Sequence, residues 1–196
     1  LMRIPGITYK EEGDVVTVTV GAGVEWEVLV TDCVAKGYWG IENLAGIPGT
    51  VGAAPVQNIG AYGAELQSIF HSAEVIDAQT GEMATYNDSA CEFGYRDSVF
   101  KHNRALVICS VTLRLSRLAT PRLGYGDLAE LVRSGASMDT PEHIATNVRL
   151  VRAKKFPDLS LHGTAGSFFK NPIITQELFS ILTQKYGAIP SFPAAN

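Results

Sequence analysis

The run Val15-Val16-Thr17-Val18-Thr19-Val20 is β-branched at every position and stops at Gly21-Ala22-Gly23, which predicts a strand and a turn. From Glu25 to Lys36 the apolar residues Trp26, Leu29, Val30, Cys33 and Val34 recur at helical spacing, and Gly37 supplies the stop. Residues 73–78 and 83–86 read as a hairpin around Thr80-Gly81, and Asn87 or Asp88 as the cap of a short helix ending near Phe93-Gly94. The segment 105–115 is the longest strand candidate. Residues 116–141 are polar, with a short helical stretch near 128–132. Thr140-Pro141 then supplies an N-cap and a first-turn proline for a helix whose apolar face carries Ile144, Val148 and Val151. That helix ends near Phe156-Pro157, and another spans 175–186. Strands dominate the first two thirds and helices the last third, so the fold class is α+β.

One segment breaks this periodic pattern. Residues 40–63, GIENLAGIPGTVGAAPVQNIGAYG, are rich in glycine, hold two prolines and carry almost no charge. The segment is loop-rich yet too apolar for a solvated linker, and a glycine-dense apolar loop marks a backbone that comes close to something.

Composition narrows the function classes. Hydrophobic content is 46%, charged content 18% and net charge -4, which points to neither disorder nor a general nucleic-acid surface. Cys33, Cys91 and Cys109 are far apart and form no C-x-x-C pair, which fits reduced thiols in a cytoplasmic protein. No apolar run approaches the ~20 residues needed to span a bilayer, so no membrane partner is expected. The opening Leu1-Met2-Arg3 and the closing Pro193-Ala194-Ala195-Asn196 read as positions inside a longer protein.

Several motifs are absent. The sequence has no H-E-x-x-H and no G-x-x-x-x-G-K-[ST], and its four histidines lack metal-ligand spacing, so no metal is expected. Residues 124–129 fit G-x-G-x-x-A, but no hydrophobic strand precedes them, as a dinucleotide fingerprint requires. Ser167 is not in a G-x-S-x-G elbow.

Three segments remain as candidates for chemistry. In the glycine-rich loop, Gln57 and Asn58 are the main side-chain hydrogen-bonding groups; the loop is either a tight crossover or a surface that binds a phosphate or a planar ring through its backbone. In Phe93-Gly94-Tyr95-Arg96-Asp97-Ser98-Val99-Phe100, Arg96 stands between aromatics, suited to grip a carboxylate or steady an enolate. The bland alternative pairs it with Asp97 or Glu92. In Gly163-Thr164-Ala165-Gly166-Ser167-Phe168-Phe169-Lys170-Asn171-Pro172, residue type alone favours a turn serine, while a suitable environment makes Ser167 a proton donor beside Lys170 and Asn171. The basic helix end Arg149, Arg152, Lys154 and Lys155 is either a solvated face or a diphosphate site.

In order and spacing, GIENLAGIPGTVGAAPVQNIGAYGAEL at 40–66, EFGYRDSVFK at 92–101, GYGDL at 124–128, KFPD at 155–158 and GTAGSFFKNP at 163–172 resemble the UDP-N-acetylenolpyruvylglucosamine reductase family. The resemblance covers nearly the whole chain, and GYRDSVFK with GYGDL resembles the subgroup with an extra tyrosine-bearing loop, here near 117–135. It implies a flavoenzyme of peptidoglycan precursor synthesis, with FAD as cofactor and NADPH as co-substrate. Its substrate would be UDP-N-acetylglucosamine enolpyruvate. By this similarity Ser167 is the proton donor at C2 and Arg96 holds the substrate carboxylate, while Tyr125, Lys155 and Asn171 contact the UDP and diphosphate. Gly49, Thr50, Val51, Gly52, Ala53, Ala54, Gln57, Asn58, Gly60, Ala61, Tyr62 and Gly63 line FAD. Arg149, Arg152 and Lys154 keep the solvated reading.

The implied fold is part of a two-lobed FAD-binding domain of the vanillyl-alcohol-oxidase/PCMH type over 1–156, with the start of a substrate domain over 157–196. The family's N-terminal FAD loop and C-terminal glutamate have no counterpart in this sequence. The alternative expectation is therefore an incomplete fragment that binds FAD or UDP-sugar without turnover.

Overall fold

A computed structural model describes residues 3–157, 161–163 and 169–191. It divides into two compact units, Leu1–Leu161 and His162–Asn196.

The first unit is built on an antiparallel sheet. Its strands are β1 (Ile7–Glu12), β2 (Val15–Gly21), β5 (Phe70–Asp77), β6 (Met83–Asn87) and β7 (Leu106–Ser116), in the order β1-β2-β7-β5-β6. Every neighbouring pair is antiparallel. A separate ribbon pairs β3 (Gly60–Ala61) with β4 (Ala64–Glu65). The alternating β-branched run of β2 buries Val16, Val18 and Val20 completely. On β7 the buried set is Val111, Leu113 and Leu115, with Ile108 out of phase. The break has a backbone cause: β5 and β7 shift register between Phe70 and Ser72 and again between Glu74 and Val75, so His71 and Cys109 stand as extra residues in bulges. On its other side β7 keeps its register with β2, and the Cys109 carbonyl accepts the Ala22 N–H at 2.9 Å, one residue beyond the Gly21–Ser110 pair.

Strand β1 was not expected from the sequence. Only Ile7 and Tyr9 alternate toward the core before Lys10-Glu11-Glu12, and an edge strand gains its stability from a partner rather than from its own apolar pattern. Its charges are used: Glu11 accepts the Tyr38 hydroxyl at 2.5 Å and pairs with Arg117 at 2.9 Å.

Helix α1 (Trp26–Ala35) buries the five apolar residues its spacing predicted, and the Trp26 indole donates to the Leu44 carbonyl at 2.9 Å. Burial pushes the Cys33 thiol up to about 12. The short helix α2 (Asp88–Cys91) is capped by Asn87, whose side chain accepts the Ala90 N–H; it ends earlier than expected because Glu92 turns left-handed at φ 49°. A further short helix, α3 (Val99–His102), precedes β7. Helix α4 (Gly126–Arg133) buries Leu128, and no strand stands immediately before it. Helix α5 (Pro141–Lys155) begins at the predicted Thr140 cap and buries Ile144, Ala145 and Val148.

The second unit contains helix α6 (Gln176–Tyr186), capped by the Thr175 hydroxyl. Among the described residues no helix is long and apolar enough to cross a membrane.

Candidate functional site

The glycine-rich loop takes its shape from short 3-10 turns at Glu42–Leu44, Val51–Ala53 and Pro55–Gln57. Its middle is docked on the end of β2 and the start of α1. Val51 N–H donates to the Val24 carbonyl, Gly52 N–H to the Ala22 carbonyl and Trp26 N–H to the Gly49 carbonyl, at 2.9 to 3.0 Å. Gly52 is required by this docking, because a Cβ there would stand 2.6 Å from that of Ala22. Gly49, at φ 119°, has open space where a Cβ would stand.

The expected cofactor residues fall into three sets. Val51, Ala54, Asn58 and Tyr62 are buried and shape the loop from within, whereas Gly49, Ala53, Gln57 and Gly63 are exposed. Thr50, Gly52, Gly60 and Ala61 are half-buried. Asn58 is completely buried in a left-handed conformation. Its amide nitrogen donates to the Gly94 carbonyl at 3.2 Å and to Glu65 at 3.3 Å, while its oxygen accepts the Gln67 N–H at 3.0 Å. Its side chain is spent on holding the loop.

The second motif is stitched to the first. Besides the Asn58 bond to Gly94, the buried Ser98 hydroxyl donates to the Val56 carbonyl at 2.8 Å. Arg96 donates from Nη2 to the Gly60 carbonyl at 2.7 Å, and its Nη1 lies 3.5 Å from Glu65. The bland reading of Arg96 named the wrong carboxylates: Asp97 faces His102 at 2.8 Å instead. That imidazole holds the Asp97 carboxyl below its ordinary range. Arg96 itself sits at φ 57°, a left-handed backbone that few arginines adopt.

Tyr125 and Lys155 are brought to the same region. An open cavity of about 310 Å³ is lined by Tyr62 and Gly63 on one side and by Arg122, Gly124 and Tyr125 on the other. The Tyr62 and Tyr125 rings meet edge to face, 5.7 Å apart. Lys155 contacts Asp127 at 2.5 Å, which holds the ammonium pKa above its ordinary value. Burial raises the Tyr62 hydroxyl, opposed by the positive charges of Arg152 and Lys155.

The basic helix end is not simply solvated. Arg149 pairs with Glu27 at 2.5 Å and donates to Thr31, while Arg152 donates to the Gly46 carbonyl at 2.9 Å. Both fasten α5 to the segment around α1 and to the glycine-rich loop. Asn171 is exposed in the second unit. Ser167 lies outside the described residues.

The sequence reading missed the buried polar residues Glu42, Asn43 and Ser98. A signal was present for the first two, since Glu42-Asn43 interrupts an otherwise apolar run, and polar groups in such a run need internal partners.

A family model described as an FAD binding domain matches residues 6–87. The chain is 45% identical to the UDP-N-acetylenolpyruvoylglucosamine reductase of Chromobacterium violaceum over 193 residues, which are 95% of this chain and 56% of that protein. It is 45% identical to the reductase of the same name from Amoebophilus asiaticus, over 100% of this chain and 59% of that protein. The crystal structure of the enzyme from Thermus caldophilus matches with a TM-score of 0.57 and 28% identity, over 79% of this chain and 48% of that one. The chain thus spans a little over half the length of the curated relatives it matches. In sequence and in fold the chain is similar to part of a UDP-N-acetylenolpyruvoylglucosamine reductase.

Proposed function

We propose that this chain carries part of the flavin and substrate surface of a reductase acting in the cytoplasm on peptidoglycan precursors. The substrate is UDP-N-acetylglucosamine enolpyruvate, the product UDP-N-acetylmuramate, and NADPH the reductant. The observation that carries this reading is the stitching of the Arg96 segment to the glycine-rich loop through Gly60, Val56 and Asn58. It sets a guanidinium, paired with Glu65 at 3.5 Å, beside an edge of small residues.

That edge suits a flavin. Its exposed positions Gly49, Ala53, Gln57 and Gly63 carry no charge, and the open space at Gly49 lets a planar ring or pyrophosphate approach the backbone. Bound FAD, once reduced by NADPH, supplies hydride to C3 of the enolpyruvyl group. Arg96 holds the substrate carboxylate and stabilises the negative charge that develops on it, a charge-assisted contact that strengthens as the enolate forms. Ser167 delivers the proton to C2. Tyr125, Lys155 and Asn171 hold the nucleotide diphosphate.

The test is purification of the full-length protein and titration with the enolpyruvyl substrate. The reading expects a yellow protein with bound FAD whose flavin is reduced by NADPH and whose continued turnover of NADPH requires the enolpyruvyl substrate. A colourless protein that takes up no FAD overturns it.

A further inference from the structure

The cavity beside Tyr125 has two walls from distant parts of the chain, Tyr62 and Gly63 from the glycine-rich loop and Arg122, Gly124 and Tyr125 from the segment before α4. Beneath them lies Asn43, which is 1% exposed. Its amide nitrogen donates to the Tyr62 carbonyl at 2.9 Å and to the Arg122 carbonyl at 2.8 Å. Both acceptors are carbonyls, so only the NH2 end of the amide fits there, and the orientation of the side chain is settled by chemistry. The Asn43 Oδ1 is buried with no hydrogen-bond partner among the described residues. A buried acceptor without a donor costs free energy, so an amide is a poor choice at this position for stability alone.

From this we infer that Asn43 is a positioning residue: it ties the tyrosine-bearing segment to the glycine-rich loop and so sets the spacing of the two cavity walls. The segment it holds, 118–125, has no helix or strand of its own. Arg122 is gripped a second time, on its side chain, where Nη1 donates to the Ser68 hydroxyl at 2.9 Å. Gly63 and Tyr125 then face each other, with a Cβ at Gly63 standing 3.6 Å from that of Tyr125. Loss of both amide donors releases the Arg122 carbonyl and lets Tyr125 leave this alignment. The inference rests on the proposed function for the ligand alone: if Tyr125 helps to hold the uridine diphosphate, that ligand feels the loss.

The experiment compares the full-length protein with Asn43→Asp, which keeps the shape but turns a carboxylate oxygen toward two carbonyls, and with the milder Asn43→Ser. Hydrogen exchange is followed by mass spectrometry, and UDP binding by calorimetry. Exchange over α4 (Gly126–Arg133), where the Ala129 N–H is bonded to the Tyr125 carbonyl at 2.9 Å, is expected to quicken about tenfold or more in Asn43→Asp while β2 and β7 stay as in the wild type, with UDP binding weakened about tenfold. If Asn43→Asp does not fold, Asn43→Ser is read for the same local change. Unchanged exchange in 126–133, or a rise spread evenly over β2 and β7, overturns the inference. Wild-type protein that fails to bind UDP counts against the proposed function, and the exchange result still decides whether Asn43 is the tie.

Discussion

The Arg96 guanidinium donates to the Gly60 carbonyl at 2.7 Å, and a Cβ placed at Gly60 would stand 2.6 Å from Nη1 of the same arginine. The glycine is therefore part of how the arginine is aimed. A carboxylate ligand needs a guanidinium with a fixed fork, and here one side of that fork is anchored to the glycine-rich loop.

Gly60→Ala in the full-length protein is expected to displace Arg96 and to cost about 1–3 kcal/mol of stability, because the Ala64 carbonyl, 3.1 Å from the new methyl, cannot give way as a side chain can. Stopped-flow measurement should show reduction of the enolpyruvyl substrate slowed about a hundredfold, with flavin reduction by NADPH much less affected. A substrate half-reaction at the wild-type rate would remove Arg96 from its assigned role.

Asn58→Ala leaves the Gly94 carbonyl and the Gln67 N–H without their partner in a completely buried site. The expected loss is about 2–3 kcal/mol in denaturant unfolding. A loss within the error of the measurement would mean that the loop holds its shape without this amide.

Ser167→Ala is expected to leave flavin reduction by NADPH intact and to slow substrate reduction about 10²- to 10⁴-fold, the usual range for loss of a positioned proton donor. Equal slowing of both half-reactions would sink the proton-donor assignment.

Burial holds the Glu42 carboxyl above the ordinary carboxylate range, against the opposing pull of backbone N–H groups at Gly40 and Ile41 and the charge of Arg122. A carboxyl whose folded pKa is raised contributes stability that is fully present below its unfolded pKa and is lost as pH rises through the folded value. Glu42→Gln should therefore gain relative to the wild type on going from about pH 4 to about pH 8, since the amide never ionises. Urea unfolding at the two pH values measures the difference, and a stability gap that does not change with pH would refute it.

Much of the local structure is legible in the sequence because it depends on neighbours along the chain. The β-branched run of β2, the helical spacing of α1, the Thr140 and Asn87 caps and the turn at Gly81 all act within a few residues. The five ordered motifs likewise carry the family resemblance, since they are properties of residue identity and spacing.

What needed the fold are relationships between residues far apart in sequence. Strand β1 exists because β2 offers it a ladder, and the bulges at His71 and Cys109 arise from pairing that alternation alone cannot reveal. Arg96 and Gly60 are separated by 36 residues, and Asn43 and Arg122 by 79. Sequence determined which groups this protein has to offer and the short elements that bear them. Tertiary structure decided which groups are spent holding loops, as with Asn58 and Arg152, and which are set around the cavity, because partners for buried polar groups come from whatever the chain brings alongside.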